Sequence, residues 1–211
     1  IPDKGGFAVM AGLEQLIEKL KNLSFDEECI KSFRQQGFSE KFLEYFENFK
    51  FSCDVYAMPE GTPIFPNEPI VKVCGPAIQA QLIETLVLNT INHQTLIATK
   101  ANRVYRSAMG RKVIESGARR AHGFSAAVDG ARAAYIGGVN GTTFYPASQE
   151  HGIPVATIMG HGWVQLFDSE IEAFKVYLEE HGEDGMLLVD TYDTLDSGVK
   201  NAIQAFNEVL S

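Results

Sequence analysis

Apolar residues recur at helical spacing over residues 7–23. Val9, Met10, Leu13, Leu16, Ile17 and Leu20 lie on one side and Glu14, Glu18, Lys19 and Lys21 on the other, which predicts an amphipathic helix. Ser24, followed three residues later by Glu27, reads as a capping box for a second short helix, ended by Gly37. Ser39 opens a third, carrying Phe42, Leu43, Tyr45, Phe46 and Phe49, an aromatic density best explained by core packing. Over residues 51–73 the texture changes. Short apolar runs at 54–58 and 70–73 are punctuated by Pro59, Gly61, Pro63, Pro66, Asn67 and Pro69, which predicts strands and tight turns in a small β unit closed by Gly75-Pro76.

Ile78, Leu82 and Leu86, with Ile83, Val87 and Ile91, fall on adjacent helical rows that continue through Ile97, Ala101, Val104 and Ala108 to Gly110. One long helix over 77–110 is therefore predicted, with His93 as a hydrogen-bonded core residue and Lys100, Arg103 and Arg106 on its polar side. Beyond Gly110 the pattern alternates. Strands are predicted at 113–115, 135–139, 155–159 and 186–191. Helices are predicted from Ser125 to about Tyr135, from Gly141 to Gly152 with Pro146 in the first turn, from the Ser169 capping box to Gly182, and over 198–210. Strands apolar on both faces and separated by helices imply parallel pairing, in a doubly wound sheet or a (β/α) barrel. Functional groups then belong at the strands' carboxyl ends. Four segments deliver polar groups there: Arg119 and Arg120, Gly141-Thr142, His161 between Gly160 and Gly162, and Asp190.

Composition narrows the partners. A net charge of -9 argues against nucleic acid and against an anionic membrane surface, while leaving room for an anionic small molecule in a basic cleft. Cys29, Cys53 and Cys74 are odd in number and lie in no ligand spacing, so reduced, mostly buried thiols of a cytoplasmic protein are expected. No apolar run reaches the roughly 18 residues a membrane span needs. There is no P-loop, no complete G-x-G-x-x-G, no G-x-S-x-G elbow and no metal-ligand spacing among the histidines. The opening Ile1-Pro2-Asp3-Lys4-Gly5-Gly6-Phe7 reads as the middle of a loop, and an internal piece of a longer protein is expected.

A set of longer stretches resembles the nicotinate phosphoribosyltransferases, in order and over nearly the whole chain. They are Gly12-Leu13-Glu14, Asp54-Val55-Tyr56-Ala57-Met58-Pro59-Glu60-Gly61, Phe65-Pro66-Asn67-Glu68-Pro69, Asn92-His93-Gln94 through Ala98-Thr99-Lys100, Gly117-Ala118-Arg119-Arg120-Ala121-His122-Gly123, Arg132-Ala133-Ala134-Tyr135-Ile136-Gly137-Gly138, Gly160-His161-Gly162-Trp163 and Val189-Asp190-Thr191-Tyr192-Asp193-Thr194-Leu195. The resemblance implies an α/β fold: an amino-terminal α+β domain (1–76, in part), a long joining helix (77–110) and the first half of a barrel-like catalytic α/β domain (111–211). It implies an ATP-coupled enzyme of NAD biosynthesis and salvage, working as a homodimer, that converts nicotinate and phosphoribosyl pyrophosphate to nicotinate mononucleotide and pyrophosphate, with Mg2+ on the pyrophosphate oxygens. By position it makes His161 a transient phosphohistidine and Asp190 its carboxylate partner. Arg119 and Arg120 become the pair facing anionic substrates, and Gly141, Thr142 and Gly160 join the substrate pocket. A piece of such an enzyme is not expected to catalyse alone. The alternatives are a nicotinamide- or quinolinate-specific relative, or a non-catalytic half of a two-chain assembly.

Overall fold

The structure, a computed structural model, describes residues 6–210; the loop expected over 1–7 falls largely outside them. The chain divides into two compact units, one running to Val155 and the other beginning at Ala156. Among the described residues no helix is long and apolar enough to cross a membrane.

In the first unit, β1 (Ala8–Val9) precedes α1 (Leu13–Lys21), α2 (Glu27–Gln35), α3 (Glu40–Glu47), β2 (Asp54–Ala57), β3 (Pro63–Ile64) and β4 (Val71–Cys74). The first helix was expected from residue 7. Instead Ala8 and Val9 pair antiparallel with Ile64 and Pro63, because their apolar side chains serve a strand as well as a helix face. The cap of α2 is Asp26, whose Oδ1 accepts from the Cys29 amide at 2.8 Å, rather than Ser24. The aromatic group packs as a core, with Leu43 and Phe46 buried and the Phe25 and Phe46 rings edge to face at 4.7 Å. The two predicted strands of the β unit form β2 and β4 in antiparallel register. Cys29 is exposed, against the expectation for buried thiols, while Cys53 and Cys74 are half-buried.

The predicted long helix is two helices, α4 (Ala77–Leu82) and α5 (Glu84–Ser107), broken at the buried Ile83. Neither glycine nor proline marks that break. Next come β5 (Ile114–Glu115), α6 (Phe124–Ile136), β6 (Gly141–Thr142) and α7 (Tyr145–His151). Residues 135–139 are the end of α6 and its turn rather than a strand, and 141–142 form a strand rather than opening a helix; β6 pairs parallel with β5. The alanine-rich α6 packs closely along α5, where small side chains allow near approach, as with Ala98 and Ala133, both fully buried. Of the strand predicted over 155–159, only Val155 makes a bridge, parallel to Thr142.

The second unit holds α8 (His161–Val164), α9 (Glu170–His181) and α10 (Val199–Val209) around Phe174, Leu178, Val164 and Ala205. Ser169 caps α9 as expected, its Oγ accepting from the Glu172 amide. The strand predicted over 186–191 is irregular chain instead. Leu187, Leu188 and Val189 pack on the cluster, so burial alone explains their apolar run.

Candidate active site

His161 sits where α8 begins. Met159 before it and Val164 after it are buried, and the Trp163 indole N–H donates to the Ala173 carbonyl at 3.1 Å. These anchors tie α8 to α9 and leave the imidazole 41% exposed. Its Nδ1 lies 3.3 Å from Thr191 Oγ1 and its Nε2 3.8 Å from Asp190 Oδ1. A proton on Nε2 faces the carboxylate, and Nδ1 then accepts from the Thr191 hydroxyl. The ring thus has an orienting contact on each nitrogen and an open face.

Asp190 and Thr191 are held in place by the turn that follows them. A π-helical turn, Thr194–Gly198, leads into α10, and a Cβ on Gly198 would stand 1.9 Å from the Val189 carbonyl oxygen. Only glycine allows that approach. Gly160 differs: its backbone is ordinary extended chain, and a Cβ there would meet nothing within 4 Å. Local structure gives no reason for a glycine beside the histidine. Its effect is to leave the approach to the ring uncrowded.

The remaining expected site residues lie in the first unit. Arg119 and Arg120 are exposed on a 3-10 turn, Ala118–Arg120, which follows β5. Gly141 and Thr142 have structural tasks. A Cβ on Gly141 would come within 2.6 Å of the Pro154 carbonyl oxygen. The fully buried Thr142 donates through Oγ1 to Glu115 Oε2 at 2.6 Å and accepts from the Phe144 amide at 3.0 Å. Its hydroxyl is committed to holding the β5–β6 end.

Two features escaped the sequence reading. One is Thr191, the nearer partner of His161. The other is a charge network in the first unit, where Arg132 donates to Glu60 through Nη1 at 2.9 Å and Nη2 at 2.7 Å and also pairs with Glu14. Glu60 Oε1 further accepts from the Gly12 and Leu13 amides at 2.6 and 3.0 Å, satisfying the start of α1 from 48 residues away. Burial pushes the Glu60 carboxyl up, but the Arg132 guanidinium and the two amides outweigh it and hold it below its ordinary value. Burial likewise pulls Arg132 down, and the Glu60 and Glu14 carboxylates more than reverse this. The available signal was that Gly12-Leu13-Glu14, Glu60 and Arg132 all fall in the stretches that carry the resemblance.

Comparison with known proteins agrees with these stretches. The family described as the nicotinate phosphoribosyltransferase (NAPRTase) N-terminal domain matches residues 1–92. A nicotinate phosphoribosyltransferase of Bacillus subtilis is 46% identical over 99% of this chain and 42% of its own length. Nicotinate phosphoribosyltransferase pncB2 of Mycobacterium tuberculosis is 45% identical over 97% of this chain and 44% of its own. Among solved structures, human nicotinic acid phosphoribosyltransferase superposes with a TM-score of 0.74 at 25% identity, over 99% of this chain and 52% of that one. Nicotinate-nucleotide pyrophosphorylase of Pyrococcus furiosus gives 0.68 at 25% identity, over 98% of this chain and 46% of that one.

The mixed α/β fold is thus that of the phosphoribosyltransferases of nicotinate chemistry. Within that class the chain matches the nicotinate phosphoribosyltransferase family, residues 1–92 fitting the family's N-terminal domain and nearly the whole chain aligning with curated relatives of that name, of whose length it spans less than half.

Proposed function

We propose that the full-length protein makes nicotinate mononucleotide and pyrophosphate from nicotinate and phosphoribosyl pyrophosphate, coupled to ATP hydrolysis through His161, and that 111–211 belong to the first half of a barrel-like catalytic domain. The observation that carries this reading is the match to proteins named for that reaction, running through the His161–Asp190–Thr191 segment. The geometry supports it. Asp190 favours the proton on Nε2, and once the Thr191 hydroxyl turns away the Nδ1 lone pair forms a bond to the γ-phosphorus while the bond to the departing ADP oxygen breaks. Water then releases phosphate and regenerates the imidazole. Exposed guanidinium groups at Arg119 and Arg120 suit the anionic substrates. Mg2+ belongs with the substrate's phosphates in this reading, since among the described residues no three His, Cys, Asp or Glu side chains converge as a cage. No step is assigned to it. Two copies of the full-length protein form the working unit.

The test uses the full-length enzyme with nicotinate, nicotinamide and quinolinate in turn, with and without ATP. Nicotinate should be the preferred base and ATP should accelerate turnover. His161→Ala should abolish both that acceleration and the incorporation of label from γ-labelled ATP. Asp190→Asn should slow labelling by about 10²-fold or more, the scale of a lost acid–base partner. Label retained in His161→Ala would refute the phosphohistidine assignment; preference for another pyridine would refute the substrate.

A further inference from the structure

Between the last turn of α1, the first turns of α6 and the end of α7, the first unit holds a cavity of about 360 Å³, within the range of small-molecule sites. Glu18, Asp129 and Glu150 line it, one from each helix. Among the described residues, none of these carboxylates has a lysine or arginine within ion-pair distance, and Glu150 faces only the His151 ring, at 3.5 Å. Lys19 is the one ammonium group in the lining, and its Nζ lies 3.5 Å from the Thr90 hydroxyl. The partial negative charge at the end of α1 and the partial positive charge at the start of α6 offset each other. Three carboxylates against one ammonium therefore set the sign of the field.

On a chain of net charge -9 an acidic patch is ordinarily a solvated face. Two features set this one apart. Gln15, only 7% exposed, belongs to the lining, and its Oε1 is buried without a hydrogen-bond donor. Buried amide oxygens are nearly always paired, so this one calls for a donor that the described residues do not supply. Phe124, in the same lining, is 66% exposed, with its ring 5.5 Å from that of Phe144. An open aromatic face beside carboxylates attracts an organic cation. A metal ion fits less well, since among the described residues no three carboxylate, histidine or cysteine groups converge as a cage. Separated carboxylates suit a cation whose N–H donors point several ways. We propose that this cavity binds a small organic cation, an alkylammonium or guanidinium, which donates to Gln15 Oε1 and the carboxylates and lays its carbon chain on Phe124. None of these residues has a part in the phosphoribosyl-transfer reading, and the inference is independent of it.

The experiment is a saturation-transfer NMR titration of the full-length protein with putrescine and with methylguanidinium, at constant ionic strength, with 1,4-butanediol as the neutral control. At least one cation should give a signal that saturates by about 10 mM, where a millimolar site is filled, while the diol should give none. A response to putrescine alone assigns an alkylammonium; a response to methylguanidinium alone assigns a guanidinium. Mg2+ at matched ionic strength should not displace the bound cation. Asp129→Asn and Gln15→Leu should each weaken binding about tenfold or more, the scale of one charge-assisted contact. Phe124→Leu should weaken it about two- to fivefold, and Phe124→Trp should retain it. Glu44→Gln, which removes the same charge from an exposed position on α3, should change it by less than about twofold. Gln15→Leu replaces an unpaired buried amide by an apolar group of similar size, so its melting temperature should hold or rise while binding falls. That divergence separates a binding role from a structural one. No saturable signal with either cation, an equal signal with the diol, displacement by Mg2+, an unchanged affinity in Asp129→Asn, Gln15→Leu or Phe124→Leu, or equal sensitivity to Glu44→Gln would each overturn the proposal.

Discussion

At the scale of single residues, Glu60 has the most to hold in place. It shares the neutralisation of the buried Arg132 with Glu14 and accepts from two amides at the start of α1, so removing its charge leaves the guanidinium with the exposed Glu14 alone and gives the two amides a weaker, neutral acceptor. Losing one partner of a buried ion pair costs about 3–5 kcal/mol. Since the Glu60 side chain is 19% exposed, Glu60→Gln should fall near the lower end, read as a drop in unfolding free energy in urea. The effect should also depend on pH. The folded-state carboxyl titrates below its ordinary value, so its contribution is complete above about pH 4.3 and is lost as pH falls through the folded value. Melting curves of the natural protein and Glu60→Gln should be furthest apart at neutral pH and converge on acidification. A gap that stayed constant down to pH 3 would show that the charge does not contribute as argued.

At the scale of elements, the segment carrying Asp190 and Thr191 depends on how α10 begins. Gly198→Ala places a methyl group against the Val189 carbonyl, and the π-helical turn must move away from the chain beside His161. Overpacking of this kind costs about 1–3 kcal/mol. In the full-length protein the variant should melt lower and also label more slowly at His161; unchanged labelling with lowered melting would separate the turn from the site. The same segment shows what the sequence could disclose. Helices announced by a cap and a stop, such as α9 between Ser169 and Gly182, are legible because local hydrogen bonds at each end determine them. The runs at 155–159 and 186–191 are not, because an apolar stretch does not report whether a neighbouring strand supplies hydrogen bonds, and in the first run Val155 and Ile158 are exposed with only Met159 buried. Ala8–Val9 was absorbed into a helix for the same reason, its partner lying far along the chain at Pro63–Ile64. The juxtaposition of His161 and Asp190 could be anticipated from parallel-strand logic even though neither segment forms a strand, since Met159 before the one and Leu187, Leu188 and Val189 before the other pack on one cluster. Thr191 was not anticipated. A hydroxyl has no pattern of its own, and only the ring's orientation shows that it is the closer contact.

At the scale of the whole molecule, the division at Val155 and Ala156 makes a claim about cooperativity. The second unit is built on one apolar cluster centred on Phe174 and Leu178, both fully buried, whereas the first unit has several clusters and the Glu60–Arg132 network. Phe174→Ala removes an aromatic ring from the centre of that single cluster and should cost about 3–5 kcal/mol. Small units have little stability to spare, because they bury a smaller fraction of their surface. The loss should therefore open the second unit locally, with the first unit remaining folded. Hydrogen exchange followed by mass spectrometry on the full-length variant should show α9 and α10 losing protection while α5 and α6 keep theirs. Labelling of His161 should disappear, since α8 is tied to α9 through Trp163 and Ala173. An equal loss of protection in α5 and α6 would mean instead that the two units unfold as one cooperative block, and that the stability of the first unit is drawn in part from the core around Phe174.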